Sequence, residues 1–284
     1  MRNFAAVVLS LSFMPAADVE AQAPSSHPGP VLIQGALKLE TARLIAALKD
    51  GKAETIGPFE FWRGTIEGYP VIVSRTRMGA SHAAAATALA IERFHPVAIV
   101  NQGTAGGHDP AFFVGDIVLG TSTVSLSSFK SPPLPKGSGS NTLAWIPTDL
   151  VERANDEDGE LHESETSRFR ADPALLAAAR ATARLHATAF APGRIVEGAI
   201  GSSDVWHQEV DRIARLRATH GTAAEEMESA PTAQIAQLFG VPYLAIRVIS
   251  ASAVNGGAYD PKTGDACQDF VLLVLRAYIA GLKL

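Results

Sequence analysis

Apolar and polar positions along the chain fall into blocks whose period switches repeatedly between that of a strand and that of a helix. Val31–Ile33 is a short apolar run ending near Gly35 and predicts a first strand. Leu39, Leu44, Ile45 and Leu48 share a helical spacing, so Leu39–Leu48 predicts a helix. Phe59–Thr65, the turn Glu67-Gly68 and Val71–Ser74 predict a hairpin. Ser81–Arg93 is rich in alanine, the best helix former, and predicts a closely packed helix. Val97–Val100 predicts a buried strand that runs into Gly103-Thr104-Ala105-Gly106-Gly107, and Gly115-Asp116 opens another at Ile117–Gly120. From 121 to 171 the pattern weakens. Ser, Pro and Gly gather at 131–140 and acids at Glu157 to Glu165, which predicts a long excursion.

Regularity returns with Asp172-Pro173, a helix start, and a helix over Ala174–His186. A strand at Ile195–Ile200, a helix at Gln208–Arg217 and a helix at Met227–Phe239 follow. Tyr243–Ile249 predicts a buried strand and Phe270–Ile279 a closing helix. Strands and helices alternate throughout, so the fold class is α/β, three-layered, around one mostly parallel or mixed sheet.

The N-terminus departs from this pattern. Arg2, an apolar run from Phe4 to Met14 and small residues around Ala21 and Ala23 predict a secretory signal peptide at 1–22. The Pro- and Ser-rich stretch 23–30 predicts a linker, and 31–284 a single domain. The mature protein is then expected to be exported, periplasmic in a Gram-negative host, with no membrane anchor after signal removal. With 284 residues, 47% hydrophobic and 19% charged, the chain can bury a large core. A formal net charge of −5 argues against a nucleic-acid partner. One cysteine, Cys267, excludes an internal disulfide and a Cys-cluster zinc site, and it is expected to be buried near the last helix. None of the eight histidines falls in a metal-binding spacing; His82 and His207, beside pocket motifs, read as structural.

Three features could carry chemistry. Gly103–Gly107 would let backbone N–H groups approach a ligand, although a tight turn explains it equally, and it matches neither the dinucleotide fingerprint nor the P-loop. Glu225-Glu226-Met227-Glu228-Ser229 crowds three carboxylates at a predicted helix start. The helix dipole favours acids there, but a carboxylate can also grip a vicinal diol such as that of ribose. Glu40 lies beyond the C-terminal end of the first strand, where α/β sheets place ligands.

Taken together, Gly35-Ala36-Leu37 with Glu40, Met78-Gly79, Asn101 with Gly103–Gly107, Gly115-Asp116-Ile117-Val118, Ser203-Asp204, Glu226-Met227-Glu228-Ser229-Ala230 and Arg247-Val248-Ile249-Ser250 have the order and spacing of the nucleoside phosphorylase superfamily. The chain most resembles its 5′-methylthioadenosine/S-adenosylhomocysteine nucleosidase branch, over nearly all of its length from Val31. The resemblance implies a three-layer α/β sandwich with a central mixed sheet, usually a homodimer, acting on a small-molecule nucleoside without a cofactor. It implies that Glu40 activates water, Glu228 holds the ribose hydroxyls and Met227 packs on the sugar. Thr104, Ala105 and Gly106 would lie by sugar and water, Trp206 would stack on the purine, and Met78 would line the pocket. Glu226, Arg247 and Ser250 enter the expected substrate-binding set through their motifs. The chemistry agrees: breaking an N-glycosidic bond passes through an oxocarbenium-like state that carboxylates stabilise.

One position departs from the family. An aspartate that protonates the leaving purine is expected after Ser250, and this chain has Ala251. General-acid help is worth ~10²–10⁴-fold. Either Ser250, Ser252, Asn255 or Asp204 supplies a hydrogen bond, or the leaving group departs unaided, or the protein binds nucleosides without turning them over, as plant storage relatives of the superfamily would. Phosphorolysis is the other alternative, but the places where phosphorylases carry arginines hold Glu40 and Asn101-Gln102; Arg75 and Arg77 read as hairpin charges. The charge pattern favours water.

Overall fold

The computed structural model describes residues 29–155, 161–190 and 192–282. The expected signal peptide and most of the linker lie outside them. Strand β1 (Val31–Gly35) leads to α1 (Lys38–Ala46), then the meander β2 (Lys49–Ile56), β3 (Phe59–Ile66) and β4 (Tyr69–Arg75). Helix α2 (Ala80–Phe94) precedes the long strands β5 (Ala98–Gly107) and β6 (Ile117–Ser125). The excursion holds β7 (Phe129–Lys130), β8 (Ile146–Pro147), β9 (Leu150–Asn155), β10 (Leu161–Thr166) and β11 (Arg168–Arg170). The remainder is α3 (Pro173–His186), β12 (Ile195–Ser202), α4 (Val210–His220), β13 (Thr222–Glu226), α5 (Ser229–Leu238), β14 (Tyr243–Ala251) and α6 (Thr263–Leu282).

Ten strands form one mixed sheet in the order β11-β6-β12-β13-β5-β1-β4-β3-β2, with β14 pairing both β5 and β6. That double pairing closes β5, β14, β6, β12 and β13 into a ring, so the sheet curls on itself at one end. Because side chains alternate across a strand, neighbours in one strand serve opposite layers. Val31 and Ile33 pack with Leu44, Leu175 and Phe270 of α1, α3 and α6. Leu32 packs with Ala86, Ala90 and Ala233 of α2 and α5. The result is the expected three-layer α/β sandwich. Cys267 is buried within α6, and burial pushes its thiol up to about 12.

Several local expectations are corrected. The segment Gly103–Gly107 is not a loop: it is the last half of β5, paired on both sides with β14 and β13. The glutamate-rich lead-in at 222–226 is the strand β13, so α5 begins at Ser229 and not at Met227. Helix α1 stops at Ala46 because Lys49 opens β2, a strand with no apolar alternation that is held by pairing to β3. Part of the excursion is regular: β6 continues to Ser125, and Phe169 of β11 enters the core. It is anchored to α4 by Arg212, whose guanidinium lies 4.7 Å from the Phe129 ring and donates to the Thr142 carbonyl. Among the described residues no helix is long and apolar enough to cross a membrane.

Candidate active site

The C-terminal ends of β1 and β5, the turn after β13 and the segment after β12 surround one cavity of about 570 Å³. That is the size of a small-molecule site. Its wall carries Glu40, Met78, Thr104, Ala105, Gly106, Trp206, Glu226, Met227, Glu228 and Ser250 of the expected set. Arg247 is not on that wall.

Glu40 reaches the cavity from the first turn of α1. Its Oε2 accepts from the Ala36 and Leu37 backbone N–H groups at 3.0 and 3.1 Å. Its Oε1 accepts from the Thr104 backbone N–H at 2.8 Å and the Thr104 hydroxyl at 2.9 Å. Four donors from two elements fix a carboxylate that is only 5% exposed. Gly103 explains itself here: a Cβ on it would stand 2.6 Å from Glu40 Oε1. The glycine admits this side chain, where the sequence had suggested a close approach of a ligand.

Glu228 sits at the N-cap of α5, and its Oε1 accepts from the Gly79 N–H at 2.8 Å. This bond ties the exposed Met78 to the wall. Burial, and next the neighbouring Glu226 carboxylate, push the Glu228 carboxyl up to about 8. Its proton is therefore held more tightly than that of an ordinary carboxyl.

Glu226 has a different job. Its carboxylate accepts from Arg247 Nε at 3.1 Å, from the Ser202 hydroxyl and from the Glu228 and Ser229 N–H groups. Arg247 is 2% exposed, also donates to Asn101 Oδ1, and has its proton held more tightly than usual by the surrounding acids despite burial. The pair underlies the floor of the site. Of the residues that could replace an acid at 251, Asp204 accepts from the Ala80 N–H at the start of α2, Asn255 donates to the Phe112 carbonyl and Ser250 donates to the Ala105 carbonyl. Ser252 is on the wall, with its hydroxyl buried.

Sequence reasoning missed part of the wall. Tyr259, from the segment after β14, meets the exposed Trp206 edge to face at 6.2 Å between centroids. Glu225, His108 and His207 converge on the same wall. Burial would raise Glu225, but His207, hydrogen-bonded to it, and His108 beside it outweigh burial and hold the carboxylate at about 2. Of these, Glu225 stands out in the sequence only as one of three clustered acids and His207 reads as structural; no spacing in the chain links positions 108, 207, 225 and 259. His82 faces away, bonded to the Met78 carbonyl. No described residue of 121–171 lines the cavity. A second hollow of about 360 Å³ lies by Arg170–Pro173 and Gly240–Tyr243, but its Asp172 is occupied in capping α3.

Comparison with known proteins matches residues 30–280 to the family model described as the phosphorylase superfamily. The 5′-methylthioadenosine/S-adenosylhomocysteine nucleosidase of Shewanella oneidensis is 31% identical over 257 residues, covering 86% of this chain and 95% of its own. The crystal structure of the enzyme so named from Colwellia psychrerythraea, in complex with adenine, is 26% identical with a TM-score of 0.69, covering 89% and 96%. Futalosine hydrolase of Helicobacter pylori shares the fold at 21% identity and a TM-score of 0.67, covering 89% and 99%.

Proposed function

The chain belongs to the phosphorylase superfamily, and on that premise we propose that it is a hydrolase of the N-glycosidic bond of a purine nucleoside, of the methylthioadenosine or adenosylhomocysteine kind. One observation carries the reading: Glu40 and Glu228, from opposite ends of the chain, share one cavity wall.

A departing base leaves its sugar carbon cation-like. The Glu40 carboxylate is among the groups that raise the proton affinity of Glu228, so a positive charge developing between them favours the ionised form of Glu228. Glu228, poised near its ionisation, can both give and take a hydrogen bond at the ribose hydroxyls. For Glu40 to take a proton from water, one of its four donors must yield. The Thr104 hydroxyl is the one that turns about a single bond, and its rotation exposes Oε1 while its own oxygen can hold the water. Trp206 and Tyr259 offer aromatic faces for the base.

Water is favoured over phosphate because no Lys or Arg is among the described residues lining the cavity. A phosphate nucleophile wants such cations. Arg75 instead pairs with Glu60 at 2.9 Å and lies over the Trp62 ring.

The test is to incubate the purified protein with methylthioadenosine, adenosine and inosine, with and without phosphate, and to measure free base. Release at the same rate without phosphate is expected. Release only with phosphate, or binding without turnover, would overturn the reading. Export and a homodimer belong to the same proposal. N-terminal sequencing of secreted protein and analytical ultracentrifugation test them; an uncleaved N-terminus or a monomer would remove each.

A further inference from the structure

The sugar chemistry uses Glu40 and Glu228 and leaves three polar side chains of the same wall without a role. Glu225 comes from β13, His108 from the residue after β5, and His207 from the segment between β12 and α4. Their side chains are 6%, 2% and 8% exposed. His207 Nδ1 lies 2.6 Å from Glu225 Oε2, and the His207 backbone N–H donates to Oε1 at 3.2 Å. His108 Nε2 stands 3.4 Å from Oε2, while its Nδ1 meets Thr222 Oγ1 at 2.8 Å.

An ionised carboxylate only accepts, so the short contact assigns a proton to His207 Nδ1. Nε2 is then the nitrogen left for a group bound in the cavity. When Nε2 also carries a proton, the adjacent carboxylate balances the charge. This is the carboxylate–imidazole arrangement that transfers protons in hydrolases. Other charges around the pair are Arg212 of α4, which senses Glu225, and Glu209 at the start of that helix.

The reaction needs such a group. A purine leaving as an anion is a poor leaving group, and protonation of a ring nitrogen removes that cost. The wall at 250–253 is Ser-Ala-Ser-Ala and holds no acid. Glu226 is engaged by Arg247. His207 directly follows Trp206, and both side chains line the same cavity.

We propose that His207, oriented by Glu225 with His108 behind it, donates the proton to the departing base. The inference rests on the hydrolase reading given above. As the bond from the anomeric carbon to the base nitrogen breaks, its electron pair moves into the base, which takes the Nε2 proton of the His207 imidazolium. Water adds to the anomeric carbon and gives its proton to Glu40. That proton returns through solvent to His207, and one water is consumed. His207 is thus a catalytic residue, and Glu225 and His108 are positioning residues.

The test compares kcat/KM on inosine or adenosine with kcat/KM on para-nitrophenyl riboside, whose phenolate leaves without a proton. His207→Asn keeps a donor for Glu225 but has nothing in place of Nε2, and its melting temperature reports folding. The nucleoside-to-nitrophenyl ratio is expected to fall by ~10²-fold or more in His207→Asn and by a smaller factor in Glu225→Gln. His207→Gln, a second variant without a transferable proton, should show the same selective fall. An unmoved ratio in a folded His207→Asn or His207→Gln, or a selective fall that follows Ser252→Ala instead, overturns this proposal alone. Wild-type protein that cleaves neither substrate overturns the hydrolase reading and the proposal with it.

Discussion

Two glutamates three residues apart, Glu225 and Glu228, line the same cavity and hold protons in opposite ways. Glu228 is buried beside other acids, and burial and Glu226 push it up to about 8. Glu225 is also buried, yet His108 and His207 beside it hold it at about 2. Burial acts in the same direction on both; the neighbours decide the outcome. On the proposed reading, the end with Glu228 is short of positive charge and would suit a cation-like sugar. The other is already compensated and holds a histidine in place.

Breaking the sugar end should give the largest effect. Glu40→Gln is expected to lower kcat/KM for base release by ~10²–10⁴-fold. It should also cost ~1–3 kcal/mol of stability, because an amide nitrogen must face N–H donors; kinetics and urea melts on the same preparation would check both. An unaltered rate would remove Glu40 as the base. The support beneath the two ends comes next. Arg247→Met leaves Glu226 as a buried unpaired charge and should cost ~3–5 kcal/mol in urea unfolding. Adding Glu226→Gln should recover part of that loss, and additive losses would mean that the pair is not coupled.

The pH dependence sharpens the contrast between the ends. Glu228 is raised from 4.5 in the unfolded chain to about 8. The folded state therefore holds the extra proton, and its stabilisation is present below 4.5 and lost as pH rises to about 8. The slope is at most ~1.4 kcal/mol per pH unit. Glu225 has the opposite sign: its stabilisation is present above 4.5 and lost as pH falls towards about 2. Chemical denaturation across pH should show the first slope disappear in Glu228→Gln, and a slope that persists would assign it elsewhere. The smallest effect belongs to the rim. Trp206 is 61% exposed, so Trp206→Ala should leave stability unchanged. It should weaken substrate binding by ~1–3 kcal/mol, which a rise in KM of roughly 5- to 150-fold would report.

Legibility in the sequence followed the range of the interaction concerned. β1, β4 and β14 were readable because apolar runs of β-branched residues need no partner to announce burial. Glu40 and Glu228 were readable because their motifs are local. β13 was not: Thr-Ala-Ala-Glu-Glu has little strand propensity, and its extended form comes from lying between β12 and β5. The glycines of 103–107 read as a ligand-approaching loop or a tight turn for the same reason, whereas pairing with β14 keeps them extended. Arg247 and Glu226 carry family motifs, but only their mutual contact shows that they support the wall together.

The chain's own order of residues determined the alternation of strands and helices, the two-sided core and the two acids, Glu40 and Glu228, of the cavity wall. It could do so because backbone period and turn chemistry act over a few residues. Tertiary structure decided which acid keeps its proton, and it brought His108, His207 and Glu225 together. Proton affinity depends on atoms a few ångströms apart and on the exclusion of water, and both exist only once distant segments have met.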